Sequence, residues 1–423
     1  MSGRLLLFVA QIDSLGAHEA HLSCEDSEAL WQPFLDAAGL RDAKLTEMEP
    51  LEIPLVDANQ LCGCTAPDPH KADETLHVDF MARNGIPVFF AVRKSVDFAA
   101  YHDDLNDMRR RKKVVTTSVR LLLIVASAFA IPWAWRNYRA GRNDSRGAWR
   151  LVVFVATIQL TAWALRARHS FEFNAELIRV CVALMRAIGT AVLVAVFYMA
   201  LEPYARRNWP EKLIAWSRVL SGRVRDRLVG EHVLVGVCVG CFWALILAGE
   251  RAFVDAMGWT PRHSVISDHF GNKLLGARAA LAGYLDAIPL SIVYGLLLVL
   301  VLTAAKVYVR RPRWAAALSI LLLLPLVLPR AAHRWTMWVV AGAGVAGVAV
   351  WVITRFGLLS LTIAFFVMHV LNTTPITIDP SMWYAEATFC TSMIVIAITV
   401  FGYWAARRQP IAELRTARLR RPS

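Results

Sequence analysis

Few side chains in this sequence are spaced for chemistry. His263, Asp268 and His269 put three metal-type ligands within seven residues. They also fit an ordinary solvated loop, the simpler reading. Cys62-Gly63-Cys64, with Cys24, His70 and His77 elsewhere in the N-terminal quarter, offers soft ligands, but at no standard zinc spacing. Arg186 and Asp286 lie inside long apolar runs. Charge there is costly and marks function by default, so the two form a candidate intramembrane charged pair. Arg179 lies on the same helical face as Arg186, and His369 sits in a later apolar run. Such a pair suits a substrate or proton path, or equally a structural tie between two helices.

Two motifs are decoys. Gly342-Ala343-Gly344-Val345-Ala346-Gly347 fits a phosphate-cradling glycine loop, but it lies within an apolar helical run rather than after a strand. Small residues there predict close helix packing instead. Tyr101–Asn106 (YHDDLN) lacks the Arg and the Asn spacing of a kinase catalytic loop. No nucleophile–base set emerges, so no catalytic residue, bound metal or cofactor is expected of this chain.

The elements that hold these groups follow from composition. The 423 residues are 57% hydrophobic and 19% charged, with a mean hydropathy of +0.44. That is too apolar for a soluble protein of this length and calls for several membrane helices. Charge divides the chain: residues 1–108 carry −12, and residues 109–423 carry +25. An acidic soluble domain therefore precedes a basic membrane domain at 109–407, with a basic tail at 408–423. The basic residues read as flanks of membrane helices rather than a nucleic-acid surface.

Apolar runs occur near 114–135, 149–165, 180–201, 232–249, 281–305, 314–329, 335–353, 357–373 and 388–406. Several approach the ~20 residues needed to cross a bilayer. The fold class is thus a polytopic α-helical membrane protein, with about eight or nine transmembrane helices and a small N-terminal α+β domain. Lys and Arg favour the loops after runs one, three, five and seven and the C-terminal tail. Those segments are expected inside, leaving the N-terminal domain outside. The basic run at 109–113 opposes this orientation.

In the acidic domain, Ser27–Gly39 has a helical stripe at Leu30, Phe34 and Ala37 and a glycine stop. Segments 76–82 and 86–93 flank Arg83-Asn84-Gly85 and predict a hairpin. Leu5–Ala10 is shorter than a signal-peptide core and reads as a strand. The domain so opens as if on the second strand of a hairpin. That leads to the expectation of a preceding segment with at least one further span.

The most distinctive stretch is 201–236. Asn208 can cap a helix, Pro210 suits its first turn and Gly222 ends it. Leu213, Ile214, Trp216, Val219 and Leu220 form an apolar stripe. The expectation is an amphipathic helix at 208–222, lying in the interface with its Trp at headgroup depth. Trp209, Trp216, Arg218, Arg223 and Arg225 would be its anchor and relay residues, with anionic headgroups as partner.

The same stretch resembles the C-terminal membrane region of bacterial serine/threonine protein kinases typified by acidobacterial members. The elements that carry the likeness are Leu201–Tyr204, Arg206-Arg207, Trp209-Pro210, Ala215–Arg218 (with Ala215 where the family has Ser) and Arg225–Gly230. Gly3–Leu6, Phe34–Leu40 and Arg355–Tyr384 resemble other segments of it. The resemblance implies a multi-pass protein of the bacterial inner membrane. It also implies a sensory and anchoring part that works with a kinase domain in cis or in trans, and it is compatible with a homo-oligomer. The family's kinase motifs are absent from this chain. A small-solute transporter or channel is the alternative.

Overall fold

The computed structural model describes residues 5, 7–9, 28–41, 45–48, 60–68, 71–83, 85–94, 98–167, 173–256, 276–309, 311–327, 335–374, 376–377, 379–380 and 385–407. The chain divides into two compact units, Met1–Arg110 and Arg111–Ser423. The loop bearing His263, Asp268 and His269, the residues Cys24 and His70, and the basic tail lie outside the described residues.

In the first unit, β1 (Leu7–Val9), β2 (Thr46–Met48), β3 (Gln60–Asp68), β4 (Lys71–Arg83) and β5 (Ile86–Lys94) form one antiparallel sheet in the order β1-β5-β4-β3-β2. The hairpin is present as β4–β5, in register from Leu76↔Lys94 to Arg83↔Ile86. β1 pairs with β5 at the sheet edge. Alternation puts Val78, Phe80 and Ala82 on one face, where α1 (Glu28–Ala38) covers them with Trp31 and Leu35. The rings of Phe80 and Phe90 lie 5.5 Å apart, tilted by 50°, and Trp31 lies 5.0 Å from Phe80.

The second unit is a helical bundle. Its elements are α2 (Phe98–Arg139, which begins in the first unit), α3 (Ser145–Arg166), α4 (Phe173–Asn208), α5 (Pro210–Leu220) and α6 (Arg227–Ala256). They continue with α7 (Ala277–Tyr308), α8 (Pro312–Val327), α9 (Trp335–Arg355), α10 (Leu358–Asn372) and α11 (Ala385–Ala406). Among the described residues six helices are long and apolar enough to cross a membrane: 116–139, 145–166, 176–207, 227–249, 277–307 and 385–406. The expected count of eight or nine is not reached on that criterion. The 16-residue α8 and 15-residue α10 are short, and of α9 only 342–355 enters the comparison.

α7 is the central post. Most of it is buried, with Leu296, Leu297, Leu298 and Leu302 almost inaccessible, and it packs against α3, α4, α8 and α10. α6 lies between α10 and α11 through glycines. A Cβ on Gly236 would meet Ile363 Cβ at 2.7 Å, and one on Gly240 would meet Val367 Cβ at 2.7 Å. Bare backbone lets the helices approach, which substitutes for the hydrophobic drive that lipid removes. Of the α9 run expected to play that part, Gly342 and Ala346 are buried, whereas Gly344 and Gly347 would meet nothing within 4 Å among the described residues. The run that contains them is helical, which excludes a phosphate loop.

Outward-facing residues are large and apolar: Leu121, Ile124, Phe154, Val182, Met185, Leu245, Leu321, Ile396 and Val400 are all exposed. Such a surface is unfavourable in water and suits a bilayer.

Candidate functional site

α5 is only 11 residues long, yet it packs against α3, α4, α6, α9 and α10. Its start follows from Pro210 at the first helical position. The cap residue is Trp209, without a side-chain cap bond, whereas Asn208 was expected. Asn208 instead ends α4, because that helix continues past the apolar run at 180–201. The end follows from Gly222, whose φ of 82° is accessible mainly to glycine. Gly222 N–H donates to Val219 O at 3.0 Å, and Arg223 N–H to Arg218 O at 2.8 Å. Those two bonds form a Schellman closure.

The apolar stripe of α5 faces protein except at Ile214, which is exposed. Leu213, Ala215 and Trp216 are buried, and Trp216 belongs to the main core. Trp216, expected as an interfacial anchor, does not face outward: the neighbouring helices enclose its indole, and it turns inward. Its Nε1–H finds no acceptor among the described residues.

Around α5 the ends of the other helices gather into a collar. Asn137 near the end of α2 donates to Met199 O at 3.0 Å. Arg150 of α3 donates to Leu220 O at 2.7 Å. Lys306 of α7 lies 4.0 Å from the centre of the Trp209 ring, and Tyr204 meets that ring edge-on. Lys212 Nζ donates to Arg355 O of α9 at 2.8 Å. Arg218 pairs with Asp226, which also accepts Leu228 N–H at 2.9 Å at the start of α6. Arg225 lies over Trp404 of α11 at 5.4 Å, and Arg223 is exposed.

Trp209, Lys212, Lys306 and Thr354 line a cavity of about 150 Å³ here. No acid–base pair lines it. Exposed Trp135, Tyr138, Trp149, Trp314, Trp351 and Tyr403 ring the same end, as aromatics do at a membrane–water boundary.

A network that sequence reasoning missed holds the collar together. Asp144 caps α3, accepting Gly147 N–H at 2.9 Å. Its own N–H donates to Glu202 of α4 at 3.2 Å, and Tyr198 donates to its carboxylate at 3.2 Å. Arg206 pairs with Glu202 and lies 3.8 Å from Asp144. Glu202 is 2% exposed. The available signal was a Glu at the end of an apolar run, four residues before an Arg.

At the opposite end, Asp286 pairs with Arg166, not with Arg186 as expected. α3 packs against α7, so its C-terminal Arg reaches Asp286; Arg186 is on an exposed face of α4. His77 and Asp79, neighbours on one face of β4, are buried and bonded at 3.0 Å. Cys62 is disulfide-bonded, and Cys64 is a free buried thiol. Among the described residues no group of three His, Cys, Asp or Glu side chains could hold a metal ion.

Compared with known proteins, the chain matches no family model. It matches no curated protein sequence and no solved structure either. The fold and collar therefore define a multi-pass helical membrane protein with a small α+β domain, and function must be argued from them.

Proposed function

We propose that this chain is the membrane-anchoring and sensory part of a receptor-like bacterial serine/threonine protein kinase, acting with a kinase domain in cis or in trans and carrying out no catalysis itself. The observation that carries this reading is the collar. One short helix is bonded or packed to the ends of most bundle helices, so any change in their packing moves it. A stimulus that favours one packing over another would then be reported by α5 and by the exposed Arg223 and Arg225. The order of residues from Leu201 to Gly230, with its likeness to such kinases, supports the choice of output.

The topology we propose is nine crossings in the inner membrane, with α8, α9 and α10 completing the six longer spans. Successive bundle helices, α5 aside, alternately end and begin at the collar, from Asn137 of α2 to Trp404 of α11. That alternation supports termini on opposite sides of the membrane. The basic side chains and aromatic ring of the collar support a cytoplasmic position for it. The disulfide at Cys62 supports an oxidising compartment for the first unit.

The test is purification of the tagged chain from its native membrane after in vivo crosslinking. Serine/threonine kinase activity that co-purifies, and is lost when α5 is scrambled, is the expected outcome. Absence of such activity, with solute flux in proteoliposomes, would establish a transporter instead.

A further inference from the structure

At the end of the bundle opposite the collar, α3 and α4 enclose a groove of about 270 Å³. Three guanidinium groups line it: Arg166 from α3, and Arg179 and Arg186 from α4. Arg166 is matched by Asp286, and Arg179 lies 3.7 Å from Glu176. For Arg186 no carboxylate is within ion-pair distance among the described residues, and the groove keeps an excess positive charge.

Arg186 is seven residues beyond Arg179, about 10 Å further along the same face. It therefore lies within the apolar span 176–207, beside Val182 and Met185, which are 58% and 73% exposed. A guanidinium among bilayer-facing side chains is costly unless an anion or water meets it. Helical side chains lean toward the helix N-terminus, so Arg186 reaches back toward Arg179 and the membrane surface. Trp163 and Val182 complete an apolar wall beside the charges. Arg278, at the start of α7, fixes this end of α3 by donating to Ala167 O at 2.9 Å.

The ligand that fits carries an anionic group with several oxygens for forked guanidinium bonds, attached to an apolar chain that can lie along the wall. We infer that this groove binds the phosphodiester headgroup of an anionic phospholipid, with Arg186 as the principal contact. The site is distinct from the collar and its cavity, which lie at the other end of the bundle. The inference does not depend on the kinase reading.

Native mass spectrometry of the purified full chain tests it, with phosphatidylglycerol and phosphatidylcholine of identical acyl chains as probes. The expected result is tighter retention of phosphatidylglycerol, with the preference reduced about tenfold in Arg186→Gln, the scale of one charge-assisted contact. Arg186→Lys, which keeps the charge without the fork, should lose part of the preference. It serves as the deciding variant if Arg186→Gln does not purify in folded form. Millimolar orthophosphate should leave the bound lipid in place. Equal retention of both lipids by the wild type, an unchanged preference in the folded variant, or displacement by orthophosphate would each overturn the proposal.

Discussion

Lys212 and Gly357 meet backbone to backbone: a Cβ built on Gly357 would lie 3.0 Å from both Cα and the carbonyl carbon of Lys212. Gly357 also has a φ of 109°, outside the range of other residues. The contact joins α5 to the start of α10. Gly357→Ala should therefore destabilise the bundle by at least about 2 kcal/mol from strain and overlap together. Thermal unfolding in detergent, compared with a Gly344→Ala control, reads this.

Glu202 is the buried acceptor that ties α4 to the cap of α3. Glu202→Ala leaves the Asp144 N–H unpaired and removes the nearer of the two carboxylates beside Arg206. Because Arg206 is more than half exposed, the expected cost is moderate, about 1–3 kcal/mol. Glu202→Gln, which can still accept from Asp144, should cost less. The difference between their melting temperatures is the measurement.

Trp216 carries an unpaired indole N–H in the core. Trp216→Phe removes that donor with most of the ring retained and should change stability by less than about 1 kcal/mol, since a desolvated unpaired donor disappears. Trp216→Ala leaves a cavity and should cost about 3–5 kcal/mol. A Trp216→Phe variant as damaged as Trp216→Ala would mean that the indole N–H has an acceptor after all.

Gly236 and Gly240 set the approach of α6 to α10. Gly240→Leu should sharply reduce the monodisperse fraction in size-exclusion chromatography, because the opposing group is the Ala364 carbonyl, 2.8 Å from a Cβ. Gly344→Leu and Gly347→Leu, where a side chain meets open space, should leave the profile unchanged.

Burial first, and then the charges of Glu47 and Asp79, push the Cys64 thiol up to about 11. The folded domain thus favours the neutral thiol. That contribution is fully present below pH 9 and is lost as pH rises toward 11, so stability should decline over that window and Cys64→Ser should flatten the decline. At pH 8 the native thiol should react with maleimide about a hundredfold more slowly than after denaturation, from the thiolate fraction alone. Intact-mass analysis of alkylated protein reports this.

Several of these features are legible in sequence because they are local. Pro210 and Gly222 bracket α5, and the residues around Gly85 give the hairpin, since turn and cap chemistry act over four or five residues. The apolar stripe of α5 was equally legible, but not its direction. Lipid and protein core both accept an apolar face, so periodicity cannot tell Trp216 inside from Trp216 at the interface. Glu202 stood in the most distinctive stretch without an evident role, because the Asp144 N–H that it accepts is 58 residues away.

The sequence by itself determined a basic, multi-helix membrane domain behind an acidic α+β domain. Hydropathy and charge are sums over short windows and need no partner. Only the tertiary structure decided that Asp286 belongs to Arg166, that Gly236 and Gly240 of α6 bring bare backbone against α10, and that helix ends converge on α5. Each of these depends on which helices are neighbours. In a bilayer that choice is made by shape and by single polar contacts between distant residues, and hydrophobicity, nearly equal on every face, leaves no trace of it along the chain.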